Sequence, residues 1–146
     1  MILAVIAVLP IIAVLPLPNA QGDYLPPIRR TPVHRLWQVV DRDPAGLNCR
    51  MAAEFPPGTL WFETARGQVL LTSDRHPIGQ WPVVATLKRG AMVQAFSGNL
   101  GAQLIIRDRQ KKPWLPVLVE RSRGGVHCFV RANSKLIQPA GKETRF

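Results

Sequence analysis

Two cysteines, three histidines and a pair of closely spaced aspartates are the residues of this chain whose chemistry asks for an explanation first. Cys128 stands in "GGVHCFVRANSKLIQP" with His127 beside it, the residue types of a nucleophile and its base. In an extended strand adjacent side chains point to opposite faces, so this thiol and this imidazole cannot meet. Cys49, in "GLNCR", together with Cys128 and His34, His76 and His127, shows no paired ligand spacing for a metal. The histidines are expected on the surface or in loops. Asp41 and Asp43 in "VDRDPAG" are spaced like weak cation ligands, but "DPAG" makes a turn by itself and a turn-forming role fits better. The glycines of "RGG" and "SGNLG" read as turn residues, not as a phosphate cradle. The expectation is a protein without catalytic residues, metal or cofactor.

Charge and aromatic residues point instead to binding. Lys and Arg number 19 against nine acids, for a net charge of +10. The densest run is Arg107, Arg109, Lys111 and Lys112 in "RDRQKK", with Trp114 just beyond it. In "HCFVRA", Cys128, Val130 and Ala132 share one strand face, and His127, Phe129 and Arg131 take the other. Phe129 is thus expected to face outward. With Trp114 and Trp61 it would form an exposed aromatic groove suited to a peptide, edged by Arg107, Arg109, Lys111 and Lys112. An equally simple reading is a basic surface that docks an acidic partner or an anionic membrane face without any groove.

The elements that must position these residues are short. Fourteen prolines and 11 glycines argue against long helices. "LWQVVD" alternates apolar and polar residues. "PVVATLKRGAMVQAF" reads as two strands joined hairpin-fashion at Lys88-Arg89-Gly90, and "QLIIRD", "PWLPVLVE" and "VHCFVRA" follow. Pro116 suggests that its strand is an edge or carries a bulge. "NSKLIQP" is expected to close with a tight helical turn. Five to six short strands separated by turns predict an all-β small barrel.

Around this core, residues 1–20 are apolar and free of charged side chains, with Ala20 before "QGD", as in an export signal; an uncleaved membrane anchor is the alternative. Residues 21–35 read as a proline-rich basic linker, 36–139 as the domain, and 140–146 as a flexible tail. Residues 51–80 form an insertion that is long for one connection, with "TLWF" and "QVLL" as possible strands of an added hairpin.

"GLNCR", "WPVVATLKRGAMV", "KKPWLPV" and "CFVRANSKLIQP" resemble, in order and rough spacing, four segments of bacterial SH3-like domains. The resemblance spans Leu47 to Pro139 apart from the insertion and implies an SH3-like barrel. In that fold the first and last strands lie close together. Cys49 shares its face with Leu47, and Cys128 with Val130, so both face inward and the resemblance implies a Cys49–Cys128 disulfide. An even cysteine count in an exported chain agrees with it. The functional expectation is an exported, periplasmic or secreted non-catalytic module that recognises cell-wall peptide or an envelope protein. The alternative is the basic accessory protein described above. Export argues against nucleic acid as the partner. The acidic loop and paired tryptophans with which eukaryotic SH3 domains hold proline-rich peptides are missing here.

Overall fold

The structure is a computed structural model that describes residues 15–29, 31–53, 73–96, 103–122 and 124–141. The described chain is all-β apart from two single-turn 3-10 segments, Ser73–Arg75 and Ile78–Gln80. Eight strands form one antiparallel sheet: β1 (Leu36–Val39), β2 (Leu47–Arg50), β3 (Val83–Leu87), β4 (Met92–Ala95), β5 (Ile106–Arg107), β6 (Pro113–Arg121), β7 (Gly124–Arg131) and β8 (Ile137–Pro139). Their spatial order is β3-β2-β7-β6-β4-β1-β8, with β5 pairing the start of β6. The sheet is open, ending at β3 and β8.

Strand periodicity decides what each face buries. Along β2, Leu47 and Cys49 are buried while Asn48 is exposed. Along β7, Val126, Cys128, Val130 and then Ala132 enter the main core. There they meet Leu115, Val117 and Val119 of β6 and Trp37 and Val39 of β1. The long β6–β7 hairpin, in register from Trp114↔Arg131 to Arg121↔Gly124, forms the centre of the molecule. Between β1 and β2 the chain reverses at Gly46, whose φ of +88° only glycine adopts cheaply and where a Cβ would sit 2.7 Å from the Leu87 carbonyl oxygen.

Several sequence expectations are corrected here. The described residues hold eight strands, where five to six were expected. β3 and β4 are joined by the turn at Lys88–Ala91 but do not pair: β3 pairs β2, whereas β4 pairs β1 and β6. A turn signal marks a reversal, but the pairing is settled by which apolar faces must meet. β6 is central, not an edge. Pro116 is tolerated because it lies just past the β4 pairing, which ends at Val117, and its carbonyl still accepts the Phe96 N–H at 2.9 Å, so only the missing N–H is lost to the ladder. Residues 137–139 form β8 on β1, after a turn at 134–136.

The stretch expected to be a linker is packed. Tyr24, Val33 and His34 are buried, and the Tyr24 ring meets Trp37 edge-on at 5.1 Å. Asp23 bridges to Asn133, and the Tyr24 N–H donates to the Ala132 carbonyl at 2.8 Å. Tyr24, Val33 and His34 together with the backbone and side-chain bonds of Asp23 fasten the segment to the body of the fold. The expected signal at residues 1–20 lies mostly outside the described residues, as do 54–72 of the insertion, with "TLWF", "QVLL" and Trp61, and 142–146 of the tail.

Candidate functional site: a polar groove with separated charges

The disulfide joins Cys49 of β2 to Cys128 of β7, with Cα atoms 5.5 Å apart. Their side chains lie in the main core, so the bridge staples neighbouring strands from within. Among the described residues there is no free cysteine and no cluster of His, Cys, Asp or Glu able to hold a metal.

On the other face of the sheet lies a second, smaller core of Met51, Ile78, Ile106, Trp114 and Phe129. Sequence alternation placed Phe129 correctly on the face opposite Cys128. Its expected exposure is corrected: Phe129 is 2% exposed and Trp114 3%. The ends of the insertion supply the cover, since Met51 and Ile78 close over both rings and Trp81 stands edge-on to Phe129 at 5.9 Å. The expected open aromatic groove is therefore filled by the chain itself.

The basic run also resolves into distinct roles. Arg107, Arg109, Lys111 and Lys112 are all exposed. Arg109 donates to the Arg75 carbonyl at 2.9 Å, and Lys111 takes a left-handed φ of 64°. The turn they form is organised by Asp108, which is fully buried. One of its carboxylate oxygens accepts the N–H groups of Gln110 and Lys112, at 2.9 and 3.0 Å. The other accepts Trp114 Nε1–H at 2.9 Å. Sequence reasoning passed over Asp108 as one acid in a basic run; the signal was a lone acid inside that run with a tryptophan six residues on.

Beside this turn opens a groove of about 390 Å³. The β1–β2 turn contributes Asp41 and Asp43, β2 contributes Arg50, the β5–β6 turn contributes Lys112, and β7 contributes Arg131, with Trp114 at the base. Of the residues expected to bind ligand, Lys112 and Trp114 reach this groove and Arg107, Arg109 and Lys111 do not line it. Arg50, Arg131, Asp41 and Asp43 were missed as binding residues. Their signal was positional for the arginines, which occupy outward positions in strands whose inward residues are apolar.

The groove charges are held in place by something other than each other. Asp41 accepts the Asp43 N–H at 3.0 Å and Asp43 accepts the Ala45 N–H at 2.9 Å, so both do form the turn. Arg50 Nη1 donates to the Trp81 carbonyl at 2.8 Å. The Arg131 guanidinium lies 5.5 Å from the centre of the Trp114 ring and pairs with Asp23 at 3.3 Å. That is the only salt bridge among the described residues. A second cavity, of about 220 Å³, lies among Leu15, Leu17, Tyr24, Leu25 and Ile105 and has no charged side chain in its wall.

His34 lies in the loop before β1, as expected, but is buried there, with Nε2 3.1 Å from the Ala140 carbonyl and its ring edge-on to Trp37. Comparison with protein-family models, with curated proteins and with solved structures finds no match to the chain.

Proposed function

We propose that this protein is an exported, non-catalytic binding module of SH3-like type that recognises cell-wall peptide or an envelope protein. The observation that carries the reading is the groove. It is concave and polar, it is lined by charges of both signs of which Asp41, Asp43, Arg50 and Arg131 are held by hydrogen bonds, and it sits on a disulfide-stapled sheet. Specific recognition asks for such preplaced groups, because side chains already ordered lose little freedom on binding. The SH3-like reading rests on β2, β3, β6 and β7, which fall on the segments whose residues resemble that family, while the sheet itself is open and does not close into the expected barrel. A disulfide is compatible with an oxidising compartment outside the cytoplasm. Among the described residues no helix is long and apolar enough to cross a membrane.

The alternative, a basic surface docking an anionic partner, rests on the net charge of +10. Salt separates the two. Exposed charges are screened beyond about 10 Å at roughly 0.1 M salt, whereas partly enclosed pairs are screened much less. The test is retention of the purified protein on isolated wall material as salt rises from about 0.05 to about 0.5 M. Recognition through the groove predicts that most of the retention survives. Complete release would favour surface docking, and no retention at any salt would remove the wall as ligand.

A further inference from the structure

Opposite charges lining one small cavity normally find each other, and here they do not. Asp41 and Asp43 each spend one oxygen on a backbone N–H and, among the described residues, have no ion partner. Arg50 is tied to the Trp81 carbonyl, and Lys112 makes no side-chain hydrogen bond or ion pair among the described residues. Arg131 is committed to Asp23 through one Nη, and its guanidinium carbon lies over the Trp114 ring, 5.5 Å from the ring centre. Asp41 and Asp43 lie on the β1–β2 turn, whereas Arg50, Arg131 and Lys112 come from β2, β7 and the β5–β6 turn, where the third carboxylate of the lining, Asp108, is already spent on three hydrogen bonds. Charges kept apart in this way are complementary to a ligand that carries both signs at once.

We propose that the groove binds the zwitterionic end of a short peptide. The terminal carboxylate lies toward Arg50, Arg131 and Lys112, and an amine of the same peptide lies toward Asp41 and Asp43. A carboxylate suits the planar forks of two preplaced guanidiniums, and an ammonium suits two carboxylate oxygens with unused lone pairs. A cavity of about 390 Å³ is at the small end of ligand sites, the size of a few residues and not of an extended chain. This assignment rests on the peptide-binding reading of the groove and names which peptide feature is read.

The probe is the tripeptide Lys-Ala-Ala, titrated into the full-length protein as the free acid, as its C-terminal amide and as its fully acetylated form, with amide chemical shifts and calorimetry as readouts. The free acid is expected to bind with shifts confined to the groove, and amidation or acetylation to weaken it roughly tenfold or more, as expected for loss of a charge-assisted contact. Asp41→Asn with Asp43→Asn keeps both turns, because an amide oxygen accepts the same N–H bonds. This variant is expected to stay folded, to bind the free acid more weakly, and to lose its discrimination against the acetylated form. Lys112→Gln changes an exposed side chain and is expected to erode discrimination against the amide. Equal affinity for all three forms, or no binding of any, overturns the proposal. If that happens while wall material is still retained, the zwitterion assignment fails and the envelope-binding reading stands.

Discussion

At the scale of single residues, buried polar groups make the sharpest predictions. Asp108 is fully buried and accepts three hydrogen bonds, two from backbone N–H groups and one from Trp114. Asp108→Ala leaves all three donors without a partner and is expected to cost about 2–4 kcal/mol in urea unfolding, with the Trp114 fluorescence of the native state altered. Phe129→Ala opens a hole in the second core and is expected to cost about 3–5 kcal/mol. A large ligand-binding defect with unchanged stability would contradict its structural role. Tyr24 is the only tyrosine, so its ionisation can be followed by absorbance without interference from another. Burial raises its pKa above the ordinary 10.0. The folded chain therefore keeps this proton to higher pH than the unfolded chain does. The stability from the neutral ring is complete below about pH 10 and is lost as pH rises through the unfolded value toward the folded one. The urea midpoint should fall across that window, and Tyr24→Phe should remove this part of the fall.

At the scale of elements, the staple between β2 and β7 joins residues 79 apart in sequence. Constraining so long a loop in the unfolded chain is worth about 4–5 kcal/mol, a large share of the stability of a small domain. Replacing both cysteines by alanine is expected to lower unfolding free energy by about that amount, measured in urea without reductant. The two-residue period made the inward faces of β2 and β7 legible from sequence, and with them Cys49, Cys128 and the opposite placement of Phe129. It could not show that Phe129 and Trp114 would be roofed over, because the roof comes from Met51 and Ile78 at the far ends of a long insertion. Nor could it separate the turn at Lys88–Ala91 from a hairpin, since a local turn signal carries no information about the distant partner of each strand. The groove was legible only in part. Lys112 and Trp114 stood out as a basic run beside an aromatic. Arg50, Arg131 and Trp114 come together through the β2–β7 and β6–β7 pairings, which no local window contains.

At the scale of the whole molecule, the N-terminal stretch and the folded body have to be considered together. Asn19 lies just before the expected cut after Ala20, yet its side chain accepts the N–H groups of Gln21 and Asp23 at 3.0 and 2.9 Å. Beyond it, Asp23 pairs with Arg131, Asn133 donates to Asp23 at 2.9 Å, and Tyr24 enters the main core. These later contacts do not depend on Asn19. A chain beginning at Gln21 should therefore keep its N-terminal arm seated, losing only the turn at Asn19, and the bond from Asn133 Nδ2 to the Gln21 carbonyl would hold the new end. If the chain is exported and processed, the protein recovered from a bacterial host should have the mass of residues 21–146, less two hydrogens for the disulfide. It should take up no alkylating agent until it is reduced. Recovery of the full-length mass with two alkylated thiols would instead place the chain in a reducing compartment. The net charge of +10 would then have to be matched to the anions found there, nucleic acid among them.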